Sequence, residues 1–225
     1  MLAPPMPQPV LAQLYLADRQ PPQPLPDGGQ HRPILAAATH GPVLRFGEVA
    51  LPPGGLFTAH PDAPIRLWLL PLLGGLELHP ETTPNDPDFL VAGQAGTLPV
   101  GAGETCTILN PYPTEIVSFL YVWLPANAPA TPTPFTHIDI DLTTRNTLQP
   151  VCHAPDVQAY VGRYDGRAEG TYLARQWAFV GVLAGVFEVA DRLLHPGDYL
   201  RLNYAQSTDV EFEALSNQAT LLLFG

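Results

Sequence analysis

The chain of 225 residues carries 21 acidic and 10 basic side chains, and its formal net charge of -11 disfavours binding to nucleic acids or anionic membranes. No apolar run reaches the roughly 18 residues of a membrane span, and no basic segment precedes an apolar core at the start, so we expect a cytoplasmic protein without a membrane segment. The 28 prolines and 19 glycines interrupt the apolar sequence every few residues, which is typical of short strands joined by turns.

Taken in order, the sequence predicts an all-β protein in four segments. Residues 1–32 form a proline-rich N-terminal arm in which only Val10–Leu16 has the composition of a strand, at the edge of a sheet. Strand-like runs separated by glycine, proline or asparagine fill residues 33–125, which we predict to be a first barrel. A second proline-rich stretch, residues 126–136, is interpreted as a linker. Residues 137–225 are predicted to form a second barrel.

The stretch from Gln176 to Leu202 is the clearest strand pattern in the chain. A long apolar and β-branched run ends near Val189, and a short apolar piece and a last strand follow. Between these two lies His-Pro-Gly-Asp, in which Pro196 fixes φ and Gly197 accepts positive φ. The pattern therefore predicts a sharp reversal between two strands.

The two halves of the chain contain similar segments. The run LWLLPLLGGLEL at 67–78 is similar to WAFVGVLAGVFEV at 177–189, and each ends in glycine, a hydrophobic residue, glutamate and another hydrophobic residue. Downstream segments also match at a spacing of about 105 residues, the length of one small barrel. A duplicated β-barrel is the natural interpretation.

Several segments carry a resemblance to a known family. HPDAPIRLWLLPLLGGLELH, VGAGETCTILNP and VSFLYVWLP in the first half, and VFEVADRLLHPGDYLRL in the second, resemble the pirin-like bicupins of the cupin superfamily. The resemblance covers about residues 33–225. It implies two tandem cupin barrels of the jelly-roll type.

The resemblance also implies a position for a metal, and this chain departs from the family there. Active members hold iron through two histidines of a His-Pro-His step plus a later histidine and glutamate, and some cleave flavonols such as quercetin with dioxygen. Here His60 keeps the first position, but Asp62, Ile108 and Asn110 occupy the other three. We therefore expect a degenerate metal site and no cofactor. The alternative is iron or another divalent metal on His60, Asp62 and Asn110, with His79 nearby.

Three further residues complete the candidate pocket of the first barrel. His79 is interpreted as a structural hydrogen-bonding residue, and Trp68 either as core or as lining a ligand cavity. Cys106 lies on a strand that would line the barrel, where a thiol behaves as a small hydrophobe. With no secretion signal, we expect Cys106 and Cys152 to be free, buried thiols rather than a disulfide.

Two classes of function remain open. The favoured hypothesis is a non-catalytic bicupin that binds a small apolar or aromatic ligand, or a protein partner that its acidic surface would contact. The alternative is a metal-dependent dioxygenase of the quercetin 2,3-dioxygenase type. Since three of the four expected ligands differ, we favour a protein that is not an enzyme. The absence of any lysine excludes a phosphate-binding P-loop.

Overall fold

The computed structural model describes residues 9–35, 42–83, 86–126, 134–154 and 157–225, and apart from one 3-10 turn at Ala17–Arg19 these residues form strands and loops. No helix among them is long and apolar enough to cross a membrane. The prediction of an all-β fold is confirmed. The strands are, in chain order, β1 (Leu11–Tyr15), β2 (Gln23–Pro24), β3 (Gln30–Leu35), β4 (Arg45–Leu51), β5 (Leu56–Ala59), β6 (Ile65–Leu73), β7 (Gly75–Pro80), β8 (Asp88–Val91), β9 (Gln94–Val100), β10 (Cys106–Leu109), β11 (Val117–Pro125), β12 (Thr136–Asp139), β13 (Leu148–Ala154), β14 (Val157–Tyr164), β15 (Glu169–Ala174), β16 (Trp177–Ala184), β17 (Phe187–Val189), β18 (Arg192–Leu194), β19 (Tyr199–Asn203), β20 (Thr208–Ala214) and β21 (Ala219–Phe224).

The chain divides into two compact units. One unit comprises residues 20–140, and the other comprises residues 141–225 together with the N-terminal strand β1. Each unit has its own apolar core enclosed by two antiparallel sheets. Most of the predicted linker, residues 127–133, lies outside the described residues.

The 20–140 unit contains a seven-stranded and a four-stranded sheet. Their strand orders are β12-β9-β6-β11-β4-β3-β2 and β5-β10-β7-β8. Burial alternates along the strands as a half-buried sheet requires: in β10, Cys106 and Ile108 are fully buried and belong to the core, while the residues between and after them are half-buried. The core of this unit therefore lies between the two sheets.

The unit formed by residues 141–225 and β1 repeats this arrangement. Its sheets have the orders β1-β19-β16-β21-β14-β13 and β15-β20-β17-β18. The predicted edge strand of the N-terminal arm is β1, which pairs antiparallel with β19, Leu11 opposite Asn203. Just beyond β1, the backbone N–H of Ala17 donates to Oδ1 of the buried Asp198 at 2.8 Å. The arm is thus bonded to the unit that follows it by more than a hundred residues.

Each copy of the internal repeat contains a similar turn at a glycine with positive φ. Gly74 separates β6 from β7 with φ of 75°, and Gly185 separates β16 from β17 with φ of 72°. At both positions a side chain would strain the left-handed backbone. The predicted His-Pro-Gly-Asp reversal is also present: Gly197 has φ of 81°, and the N–H of Asp198 donates to the carbonyl of His195 at 2.9 Å.

Three strands were absent from the sequence prediction. β2 has two residues, and β15 and β13 lie at sheet edges. β13 contains Pro150, and its pairing with β14 shifts register between Pro150 and Cys152. A proline is tolerated at such an edge bulge because no ladder hydrogen bond is needed there. Both cysteines, Cys106 and Cys152, are free and buried, as predicted.

Candidate functional site

The position expected to supply a third metal ligand is occupied by Ile108 at the centre of β10. Its neighbours in register are Phe57 on β5 and Leu78 on β7. Ile108 and Leu78 are fully buried in the core, and Phe57 packs against it. No donor atom is therefore supplied by this position or by its two cross-strand neighbours.

Aromatic rings fill the space beside Ile108. The ring of Phe57 lies 5.1 Å from that of Tyr121 and 6.0 Å from that of Phe119, between centroids. His31 completes the group, with its ring 5.5 Å from Phe57 and its Nε2 2.8 Å from the Tyr121 hydroxyl. Burial raises the pKa of Tyr121 to about 12 and lowers the pKa of His31, so at neutral pH both side chains of this hydrogen-bonded pair are uncharged.

The fourth expected ligand position is held by Asn110, and both polar groups of its side chain form hydrogen bonds with the backbone. Its Nδ2 donates to the carbonyls of Leu51 at 3.1 Å, Pro52 at 2.9 Å and Glu115 at 2.8 Å. Its Oδ1 accepts from the N–H of Tyr112 at 3.0 Å. Asn110 is completely buried and ties the end of β4 to the loop between β10 and β11. This role matches that of a structural residue.

His60 and Asp62 follow β5 and are both exposed. Ala59, directly before His60, lies in the core, and the alternation of a strand directs His60 away from it. The Nδ1 of His60 lies 3.2 Å from Oγ1 of Thr105, whose N–H donates to Oε2 of Glu81 at 2.8 Å. These two positions are therefore separated from the buried Ile108 and Asn110.

The remaining candidate residues also lie apart. His79 is on the outer side of β7, between core-facing positions, and its Nε2 lies 2.8 Å from Oε1 of Glu77 in a contact without hydrogen-bond geometry. Trp68 is fully buried, but it lies on the opposite face of β6 from the core residues Leu67 and Leu69. The structure thus does not bring the seven candidate residues into one cavity.

A cleft of about 900 Å³ lies elsewhere in the same unit, where β6 begins and β7 and β9 end. Its apolar walls include Ile65, Leu98, Val100 and Phe135, with several prolines between them. None of the seven residues predicted from the sequence is among the described residues that line it. Clefts of this size and composition are typical of sites for small organic molecules.

The charged groups of the cleft are mostly acidic. Among the described lining residues, Asp86, Asp88 and Glu104 carry negative charges and Arg66 carries a positive one. Oε2 of Glu104 accepts from the N–H of Gly101 at 2.8 Å, which holds the turn at the rim. Burial raises the pKa of Asp88, and the nearby charge of Asp86 raises it further.

Cys106 lies beneath this end of the barrel, paired in register with Pro80 at the cleft wall. Burial raises the pKa of its thiol to about 12, and the charge of Asp88 adds to the shift. Since the thiolate is the reactive form, Cys106 is a buried hydrophobe and not a nucleophile at neutral pH.

No protein-family model matches the sequence, and no curated protein matches it either. Solved structures do match it over nearly the whole chain. The bacterial pirin YhhW from Escherichia coli, crystallised alone and in complex with nickel(II), aligns with a TM-score of 0.78 at 14% identity, covering 95% of this chain and 97–98% of that one. This chain has the pirin-like bicupin fold. A quercetin 2,3-dioxygenase from Acinetobacter baumannii aligns with a TM-score of 0.69 at 13% identity, covering 98% of this chain and 87% of that one.

Nickel(II) is bound in one of the two YhhW crystal structures. Among the described residues no three histidine, cysteine, aspartate or glutamate side chains come close enough together to hold a metal ion. Two of the positions that the resemblance gives as metal ligands hold the core residue Ile108 and Asn110, whose side-chain amide is hydrogen-bonded to the backbone. Both side chains stabilise the barrel itself.

Sequence reasoning missed the cleft and the His31–Tyr121 pair. His31 falls within the stretch predicted as an irregular arm, and only its pairing with β4 brings it to Tyr121. The cleft residues lie on four strands and on loops that are distant from one another in sequence. A signal was nevertheless present: Asp88 begins the apolar run FLV, where an inward-facing carboxylate breaks the pattern.

Proposed function

We propose that this chain is a pirin-like bicupin without the catalytic metal of that family, and that it binds a small molecule in the cleft of the 20–140 unit. The proposal rests on the contacts of Ile108 and Asn110, which occupy two of the positions where the resemblance places metal ligands. Ile108 fills the core between Phe57 and Leu78, and all four polar contacts of the Asn110 side chain go to the backbone.

Conversion of this barrel into a metal centre would require more than a rotamer change. Removal of Asn110 from its contacts leaves the buried carbonyl of Leu51 without this donor, at a cost of about 1–3 kcal/mol. His60 and Asp62 face solvent on the far side of the core-facing Ala59. Two neighbouring exposed side chains without further donors hold a divalent metal only weakly.

The cleft supplies what a ligand site needs without a metal. It offers apolar walls for the body of a ligand, and its volume of about 900 Å³ falls within the range of small-molecule sites. An apolar or aromatic ligand gains roughly 25 cal/mol for each Å² of apolar surface that it buries. The protein partner named as a further hypothesis stays a prediction.

A fragment screen by ligand-observed NMR, run on the wild type and on Ala102→Trp, tests the proposal. Ala102 is exposed and lines the cleft, so the indole fills the cleft without disturbing the core. Ala205→Trp, an exposed substitution in the other unit, is the matched control. We expect fragments that bind the wild type and Ala205→Trp but not Ala102→Trp. If Ala102→Trp binds the same fragments as the wild type, the cleft is not the site.

The second candidate function is dioxygen-dependent cleavage of a flavonol. It is favoured by the structural similarity to the quercetin 2,3-dioxygenase from Acinetobacter baumannii. Oxygen consumption with quercetin, measured after incubation with Fe²⁺ or Ni²⁺, decides between the two. We expect no consumption above that of the metal alone. Metal-dependent consumption that is lost in His60→Ala would establish the dioxygenase instead.

A further inference from the structure

We propose that the cleft selects small organic cations, namely protonated amines carried on an apolar body, and that Asp88 is the group that binds the ammonium. The inference rests on the proposed small-molecule function of the cleft and specifies the chemistry of the ligand. It follows from the position of one carboxylate relative to the core.

Asp88 occupies a core-facing position of the sheet. It is the first residue of β8, pairs in register with the core residue Leu78, and lies on the same face of β8 as the fully buried Leu90. Asp88 is half-buried there, and a cation or hydrogen-bond donor beside a half-buried carboxylate is favourable. Within the described residues Asp88 has no ion pair and no hydrogen bond to its side chain. A compensating cation from outside the chain would satisfy it.

The second carboxylate strengthens the selection. Asp86 lies close enough for its charge to raise the pKa of Asp88, after the larger effect of burial. Two neighbouring carboxylates repel each other, and a cation placed between them relieves the repulsion. Asp86 also forms no ion pair among the described residues.

Arg66, the one basic residue of the described lining, is placed differently from Asp88. Arg66 follows Ile65 and precedes Leu67, both of which face the core, so the alternation of β6 directs Arg66 to the outer face. Asp88 is on an inner face. With three carboxylates and one guanidinium, the described lining has a formal charge of -2, which attracts cations and repels carboxylate ligands.

The apolar walls define the rest of the ligand. Ile65, Leu98, Val100 and Phe135 surround space sufficient for an aromatic ring and a short chain. An amine on such a body combines burial of apolar surface with one charge-assisted hydrogen bond. Small polar cations such as ammonium gain only the charge-assisted hydrogen bond, because they have no apolar surface to bury.

Binding of three matched probes tests the proposal: 2-phenylethylamine, 2-phenylethanol and 3-phenylpropanoate, titrated by NMR at neutral pH. We expect the amine to bind at least about tenfold more tightly than the alcohol, as a hydrogen bond to a charged group predicts, and the carboxylate to bind most weakly. Asp88→Asn should reduce the affinity for 2-phenylethylamine to that for 2-phenylethanol. The affinity for 2-phenylethanol should stay within about twofold of that of the wild type.

Two more variants keep the result interpretable. Asp86→Asn, at an exposed position of the cleft, should reduce the affinity for 2-phenylethylamine about two- to threefold. Asp209→Asn on the other unit should leave this affinity unchanged. Equal binding of amine and alcohol by the wild type overturns the cation selectivity but leaves the cleft as a small-molecule site. If none of the three probes binds, the cation selectivity is also overturned. The proposed small-molecule function is overturned as well only if Ala102→Trp binds the same fragments as the wild type.

Discussion

Asn110→Ala tests whether the fourth ligand position of the family has become a structural residue here. Its two amide hydrogens are shared among three carbonyls, and its oxygen accepts one further bond, so the side chain makes about three full hydrogen bonds. At about 1 kcal/mol for each, the variant should lose about 3 kcal/mol of unfolding free energy. Urea unfolding followed by tryptophan fluorescence measures this, with an expected midpoint shift of about 1.5 M if the m-value is about 2 kcal/mol/M.

Asn110→Asp is the sharper variant because it preserves shape and removes only the donors. A carboxylate there faces the carbonyls of Leu51, Pro52 and Glu115, which favours its protonated form and raises its pKa in the folded state. Its destabilisation should therefore grow as the pH rises above about 4 and shrink at lower pH. Asn217→Ala, which removes one exposed hydrogen bond from Gly166 N–H, should cost no more than about 1 kcal/mol. A loss below about 0.5 kcal/mol for Asn110→Ala would refute the reasoning.

Three further predictions concern packing, reactivity and pH. Gly47→Ala should cost about 2 kcal/mol in urea unfolding, since its Cβ would lie 2.8 Å from the ring of Tyr121 in a filled core; an unchanged midpoint would contradict this. Cys106, with its pKa raised to about 12, should react with a thiol reagent at pH 8 only after denaturation, as peptide mapping can show; rapid labelling of the native protein would contradict its burial. Hydrogen bonds from Thr143 lower the pKa of Asp141 to about 2, so its stabilising effect should be present above about pH 4 and fade towards pH 2; Thr143→Ala should raise that pKa in an NMR titration, and no change would exclude Thr143 as the cause.

The fold could be predicted from local sequence because its signals are local. Alternating apolar residues specify strands, and the glycines that separate β6 from β7 and β16 from β17 have the positive φ that their turns need. β13 was missed because Pro150 obscures an edge strand that tolerates it only through a bulge. The pairing of β1 with β19 depends on residues about 190 positions apart, and no local pattern specifies such a partner.

The candidate site was less predictable because its properties depend on register. Alignment places Asn110 where the family has a ligand, but its hydrogen bonds reach Leu51 and Pro52, nearly sixty residues away. The resemblance gives His60 the first ligand position, and the structure shows it exposed directly after the core residue Ala59. The sequence shows Asp88 at the start of the apolar run FLV, but its pairing with Leu78 depends on a register that no local pattern specifies.

Metal analysis of the 225-residue chain tests the central claim most directly. Wild type, His60→Ala and Ile108→His are incubated with Fe²⁺ or Ni²⁺, passed through a desalting column and measured by inductively coupled plasma mass spectrometry. We predict well below one metal per chain in all three, because Ile108→His adds one donor while Asn110 remains bonded to the backbone. Near-stoichiometric metal in the wild type that is lost in His60→Ala would contradict the account and restore the first barrel as a metal centre.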